Sequence, residues 1–254
     1  AQMYRLHGGS QLIAIRAAKL LGDRLRLSSP VRAIEQTNGG VTVRGDGFDV
    51  RAKRVIVAIP PTLASRIDYA PVMPALRDQL TQRMPMGTVI KVQCVYDEPF
   101  WRADGLAGQA TSDTGPVKIT FDNSPPDATA HHGPGVLMGF IEGSEGRRAL
   151  TATHDERRRG VVESFARYYG PKAAKPSAYI EKSWAAEPWT RGCYAGYFGP
   201  GVWSDFGRAL REPIGRIHWA GTETATIWTG YMDGAVRSGE RAADEVRRAL
   251  RQRK

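Results

Sequence analysis

The chain has 254 residues, 41% of them hydrophobic, with 28 glycines and a net charge of +10 from 36 Lys and Arg against 26 Asp and Glu. That length and apolar content exclude a disordered segment and suit one large domain or two small ones. The positive charge is dispersed, with a dense group only at Arg247, Arg248, Arg251, Arg253 and Lys254; a solvated face and a basic tail account for it, no nucleic-acid-binding motif accompanies it, and no nucleic-acid partner is expected.

Gly8-Gly9-Ser10 opens a helical pattern in which Leu12, Ile13, Ala17, Leu20 and Leu21 recur at helical spacing, with Ser10 as the expected cap and Gly22 as the expected stop. "LRLSSPVRAIEQ" and "GVTVRG" alternate around Asn38-Gly39-Gly40 and predict a strand pair with a tight turn. "DVRAKRVIVAIPP" predicts one more strand, its "VIVAI" apolar on both faces as in a strand buried in an α/β sheet, stopped by Pro60-Pro61. A short helix is expected around Pro74–Arg83, then a strand, "TVIKVQCVYD", and strands "VKITFDN" and "GVLMGFIEG" within residues 110–145. Residues 154–170 read as a helix, "YIEKSW" as a strand running into a Gly/Pro/aromatic loop, and "GRIHWAGTET" as a strand ending in a turn of small residues. The last helix, residues 232–250, has Ala235, Val236, Gly239, Ala242, Ala243, Val246 and Leu250 as its expected buried stripe and Arg237, Glu240, Arg241 and Asp244 on the wet side.

Cys94 and Cys193 are the only two cysteines. Two make no disulfide framework, so a reducing, cytoplasmic setting is expected. No run of about 18 apolar residues occurs, so no transmembrane helix is expected, and the opening residues read as no signal segment. The pairs Asp46/Asp49 and His131/His132 read as turn and loop residues; no third ligand stands at metal spacing, and no metal is expected.

Three stretches carry chemistry, each with two readings. A strand, a small-residue turn and a helix, "HWAGTETATIWTGYMDGAV", describe either a packed crossover or a helix N-terminus whose free N–H groups and dipole face an electron-rich ligand. In "WTRGCYAGYFGPGVW", Cys193 is either a buried packing residue among rings or a thiol placed to attach a cofactor. Lys91 interrupts Val89, Ile90 and Val92; period-two alternation puts it on a solvated face, whereas a buried lysine would need a partner and a function.

In this order, and with "GGSQLIA…LLGDRLRL…PV", "VIVAIPPTL", "RMPMGTVIKVQCVYDEPFWR", "GCYAGYF" followed by "PGVW", and "AGTETATIWTGYMDGAVRSGERAA", the chain resembles the flavin-dependent monoamine oxidase family over nearly its whole length. The resemblance implies an α+β to α/β fold: a partial, Rossmann-like FAD-binding domain of the glutathione-reductase type (residues 1–80 and 192–254) with an inserted mixed β-sheet substrate domain (81–191). It implies oxidative deamination of an amine with FAD and O2, giving imine or aldehyde and hydrogen peroxide. Cys193 matches the cysteine that holds the flavin by a thioether at its 8α position, and Tyr194 and Tyr231 the aromatic cage between which the amine passes. Lys91 matches the lysine that holds a water against flavin N5, Trp184 a tryptophan near the flavin ring, and Val31 a contact to the adenosine part. Thr222, Glu223 and Met232 lie in the motif around the flavin and its phosphoribityl chain, and Ile119, Phe121 and Phe140 fall where the substrate cavity is lined.

The family's strand–GxGxxG–helix unit for the ADP half of FAD, with an acidic residue about 20 residues on, has no match in residues 1–254. The chain therefore resembles the carboxyl-terminal half to two-thirds of such an enzyme, with an N-terminal segment or second polypeptide as its expected partner; alone it is expected to hold FAD poorly. Its ending reads as that of a soluble, bacterial relative without the membrane helix of mitochondrial members, and a homodimer is compatible with the resemblance. Two further readings stand beside amine oxidation: a non-catalytic piece that completes a partner's fold, and a polyamine or L-amino-acid oxidase of the same superfamily.

Overall fold

Three sheets carry the fold, each built on a different hydrophobic pattern. The computed structural model describes residues 6–252; Arg253 and Lys254 of the predicted basic tail lie outside the described residues. The first helix, α1 (Gln11–Leu21), ends at Gly22 with φ 54° as expected. Ser10 stands before it without capping it: its backbone is already helical (φ −67°, ψ −18°), whereas a capping serine needs an extended backbone to turn its hydroxyl onto the first turn. No residue of α1 is buried, and Leu20 is 87% exposed.

β1 (Val31–Gln36) and β2 (Val41–Gly45) form the expected antiparallel pair across Asn38-Gly39-Gly40, and β3 (Phe48–Ala52) extends it to a meander. The single strand read through residues 49–59 is two. It breaks at Lys53-Arg54, and β4 (Val55–Val57) leaves the meander for another sheet. α2 (Pro61–Ala64), β5 (Asp68–Ala70) and α3 (Ala75–Gln82) follow, and β5 joins β1 in parallel. Next come β6 (Val89–Tyr96), β7 (Ala110–Thr111), β8 (Ile119–Asp122), β9 (Gly135–Glu142), α4 (Gly143–Ala149), α5 (His154–Tyr169) and β10 (Ala178–Ser183). α6 (Val202–Phe206), β11 (Ile217–Trp219) and the 20-residue α7 (Met232–Arg251) end the chain.

The central sheet runs β10-β6-β9-β8-β7, antiparallel throughout. Period-two alternation gives it two unlike faces. Ile90, Val92, Cys94, Leu137 and Ile141 point to one side and pack on Val161, Phe165 and Tyr169 of α5, with Trp101 closing the core. Lys91, Gln93, Met138, Phe140 and Glu142 point to the other, which is only half covered. α5 starts on a full capping box, a signal present in the sequence as Thr153 and Glu156: the Thr153 hydroxyl accepts the Glu156 N–H and the Glu156 carboxylate accepts the Thr153 N–H. Arg157, one turn in, clamps Glu181 of β10 with both partners largely buried.

β11 pairs β4 in parallel, and a second core forms around Ile34, Val57, Ile67, Ile217 and Trp219. "VIVAI" is not covered on both faces; Ile56 is 37% exposed. Arg77 of α3 lies 3.6 Å over the Trp219 ring and donates to the carbonyls of Ala209 and Leu210. Burial lowers its pKa to about 10.

α7 keeps Ala242 of the expected stripe buried and Ala235, Gly239 and Val246 half-buried, and corrects the rest. Its buried residues are Gly234, Ser238 and Ala242, a small-residue ridge at i, i+4, i+8, while Val236, Ala243 and Leu250 face out. A Cβ on Gly234 would stand 2.1 Å from the Trp228 carbonyl oxygen, so backbone proximity and not hydrophobicity selects this face. Arg241, expected on the wet side, is half-buried and donates to the Trp219 carbonyl (2.7 Å) while pairing with Glu245 (2.5 Å).

Phe165→Ala should lower stability by about 3–5 kcal/mol, the usual cost of emptying a fully buried aromatic site, and Thr153→Ala by about 1 kcal/mol through the lost cap. Urea unfolding of each variant measures both, and equal costs would contradict the assigned core.

Candidate active site

The site begins with two backbones in contact. Just before β6, Gly87 accepts from the Cys193 N–H (2.9 Å) and donates to the Ala195 carbonyl (3.2 Å), and the Tyr197 N–H bonds the Pro85 carbonyl (2.8 Å). The approach is close enough that a Cβ on Gly87 would lie 2.3 Å from the Cys193 oxygen, and one on Gly192 (φ 155°) 2.4 Å from the Gly87 oxygen. Only glycine fits at both positions. The Cys193–Tyr194 peptide is cis.

This clasp sets Tyr194 at the rim of the open sheet face. Its ring meets Phe140 at 6.0 Å between centroids, and Phe140 meets Phe121 at 6.3 Å, both edge-on. Register aligns the rest: Ile119 and Lys91 lie directly opposite Phe140 on either side, and Lys182 lies beyond Lys91. Of the readings open for Lys91, the structure gives a half-buried side chain on the open face beside rings. Trp184 follows β10 directly, with Lys182 Nζ 6.0 Å from the centre of its ring.

A second wall comes from the turn after β11. Glu223, 3% exposed, accepts the Gly196 N–H at 2.8 Å and so ties the turn to the Cys193 loop. The Thr222 hydroxyl accepts the Gly230 N–H (2.7 Å) and donates to the Tyr231 carbonyl (2.9 Å). Trp228 takes a left-handed backbone (φ 56°), and its ring packs on Tyr231 at 5.5 Å. Tyr231 is extended and precedes Met232, the first residue of α7, and no side chain caps that N-terminus. Trp228, Tyr231 and Met232 are all exposed. The helix mouth therefore carries rings and N–H groups aimed away from the core, and Tyr194 and Tyr231 belong to two walls joined through Glu223.

Val31 lies apart from both walls. It lines a 560 Å³ cleft with Arg32, Ile56, Ile59 and Trp189. Among the described residues no group of three or more His, Cys, Asp or Glu is placed to hold a metal.

Sequence reading missed the supports of the turn. Arg211 donates to the Thr224 and Ala225 carbonyls (2.7 and 3.0 Å), and Arg241 to the Thr224 hydroxyl (3.1 Å). Burial, and secondarily the Arg241 charge, lowers the Arg211 pKa. Beneath them His218, 2% exposed, sits between Arg54 (3.1 Å) and Glu245 (3.2 Å). The i,i+4 spacing of Arg241 and Glu245 was the one visible signal. It reads as an ordinary surface pair until β11 is known to lie beneath it.

The two thiols differ. Cys94 is fully buried in the central core, and burial pushes its pKa up to about 11. Cys193 is half-buried, and its pKa is raised by burial first and by the Glu142 carboxylate second. Iodoacetamide should therefore alkylate Cys193 slowly, with a rate that climbs above the ordinary thiol range of pH, and leave Cys94 untouched in the folded chain. Gly87→Ala, by forcing the clasp apart, should raise the Cys193 rate at least about tenfold with Cys94 still closed. Peptide mass spectrometry reads both sites, and an unchanged Cys193 rate would refute the clasp.

Comparison with known proteins identifies the family and the fold. The sequence model of flavin containing amine oxidoreductases matches residues 1–247. A probable flavin-containing monoamine oxidase A of Dictyostelium discoideum is 48% identical over 98% of this chain and 54% of its own length. An L-amino acid dehydrogenase of Synechocystis is 45% identical over 95% of this chain and 50% of its own. The solved structure of wild-type putrescine oxidase bound to putrescine superposes with a TM-score of 0.89 at 40% identity, over 94% of this chain and 53% of that one. The chain thus spans about half the length of the relatives it matches. With its mixed α/β architecture and these matches, the chain belongs to the family of flavin containing amine oxidoreductases.

Proposed function

We propose that the protein carrying this chain uses FAD to oxidise amines to imines, which water converts to aldehyde and ammonia or a smaller amine. The observation that carries the reading is the pair of walls: Cys193–Tyr194 and Tyr231–Met232, tied through the Gly196–Glu223 bond, flank an uncapped helix start. The group fits these residues. Exposed rings suit a flat, largely apolar ring system, and the positive end of α7 suits the electron-rich end of a flavin.

FAD, when bound, would supply the redox chemistry: two-electron oxidation of the amine, with O2 as the final acceptor and hydrogen peroxide as its product. In this reading Cys193, Trp184, Thr222, Glu223, Met232 and Val31 hold the cofactor, Cys193 by a thioether. Tyr194 and Tyr231 hold the amine, their faces receiving the ammonium by cation–π attraction on the order of 0.5–2 kcal/mol. Farther along the row, the apolar Ile119, Phe121 and Phe140 disfavour charge and so favour the neutral, reactive amine. Lys91 holds a water by its ammonium, and Ile119, Phe121 and Phe140 bind the carbon skeleton and keep other water out. Residues 81–191 serve as the substrate domain, with 1–80 and 192–254 contributing to the FAD domain. The phosphates and adenosine require a dinucleotide-binding unit supplied from outside residues 1–254, by an N-terminal segment or a second polypeptide.

Peroxide release and anaerobic bleaching of the flavin, measured with benzylamine, putrescine and L-amino acids on the flavin-loaded protein, test the reading. Amine-dependent bleaching is expected, and its absence with every amine would sink it. Tyr231→Ala should lower kcat/KM about tenfold, matching a lost cation–π contact. A fluorescent flavin band that survives denaturing electrophoresis and disappears in Cys193→Ala is expected for the thioether.

A further inference from the structure

Glu142 is the last residue of β9 and shares the open face with Phe140, two residues earlier. Its carboxylate has one hydrogen-bonding neighbour among the described residues, the Tyr194 hydroxyl, which donates to Oε2 across a long 3.4 Å. No cation pairs with it there, as none pairs with Glu98, Glu163 or Glu240; what sets Glu142 apart is its half-buried place on the open face beside Tyr194 and Phe140. Lys91, one register step along β6, is not within ion-pair distance of it. A half-buried carboxylate without a counter-ion, in a chain with net charge +10, is an unsatisfied demand for a cation. It stands at the Tyr194 end of the aromatic row, where that ring also attracts positive charge.

We propose that Glu142 is a specificity residue. Its carboxylate draws the substrate's ammonium to the Tyr194 side of the cage, and it selects amines that carry no α-carboxylate. A zwitterionic amino acid would bring its own carboxylate within a few ångströms of Glu142 and be repelled. The inference rests on the amine-oxidising reading of the same site and narrows its substrate class.

The test is binding, measured by perturbation of the flavin spectrum in the flavin-loaded protein. Three probes share one skeleton and have no α-hydrogen, so none can be oxidised: 2-phenyl-2-propylamine, the neutral 2-phenyl-2-propanol, and the zwitterion 2-amino-2-phenylpropanoic acid. Wild-type protein should prefer the amine to both others. Glu142→Gln should weaken amine binding about tenfold, as loss of a charge-assisted contact does, leave the alcohol within about twofold, and narrow the gap between amine and zwitterion. Glu142→Asp, which keeps the charge, should retain most of the preference. The proposal is overturned by a wild-type protein without preference for the amine, by equal losses for amine and alcohol in Glu142→Gln, by no loss, or by a loss in Glu142→Asp as large as in Glu142→Gln. Should the preference hold while no oxidisable amine bleaches the flavin, the oxidase reading falls and the role of Glu142 stands.

Discussion

Everything at the site hangs on the backbone clasp between Gly87 and Cys193. Two glycines, 87 and 192, let the strand that becomes β6 and the aromatic loop approach to direct N–H to carbonyl contact. Side chains at either position would hold the backbones apart and carry Tyr194 off the Phe140 edge. The same loop passes its Gly196 N–H to the buried Glu223 carboxylate, so main-chain bonds link the central sheet to the loop and one buried side chain links the loop to the turn before α7. Main-chain bonds of this kind fix position more tightly than packing of flexible side chains.

Beneath the second wall the chain spends buried charge on geometry. Arg211, Arg241, Glu245 and His218 converge under residues 219–225, each bonded to a carbonyl or to one another. The turn's N–H groups are already used, Gly221 on the Ser238 hydroxyl and Thr224 and Ala225 on the Gly221 and Thr222 carbonyls, and the Thr224 and Ala225 carbonyls still have to be satisfied. Arginine reaches two carbonyls at once from a rigid fork. The ridge of Gly234, Ser238 and Ala242 does the complementary work: it lets α7 sit so near the turn that the Ser238 hydroxyl accepts the Gly221 N–H at 2.9 Å.

The elements were largely legible because their periods are clean. β6 and β9 alternate without a slip, α5 has its cap and its spacing, and the β1–β2 turn has its glycines. The failures share one cause: sequence pattern reports hydrophobicity, and these positions were chosen by distance. On α7 the contact is made by the smallest side chains, so a stripe scored on apolar character lands a third of a turn away. At Ser10 the residue type is right for a cap and the backbone is not. The site residues were named by resemblance, and residue pattern alone had left Cys193, Lys91 and the Tyr231 turn with two readings each. Glu142 was invisible because a glutamate ending a strand before "GSEG" looks like a helix-start residue. Its meaning comes only from Tyr194, which is remote in sequence.

Two kinds of exposed apolar surface remain, and physical chemistry treats them differently. Leu20, Val72 and Val236 are aliphatic and exposed, Leu20 on a helix, α1, that also exposes Ile13, Ile15 and Leu21. Trp189, Tyr194, Tyr197, Trp228 and Tyr231 are rings, each more than half exposed, set on elements held by main-chain bonds and buried arginines. Rings leave a folded chain's core when their faces are needed: a ring face binds a flat partner or a cation, and an aliphatic side chain does neither. Glu142 adds direction to that surface. Rings alone attract a cation from any side, whereas one carboxylate at the Tyr194 edge makes the two ends of the aromatic row electrostatically unequal.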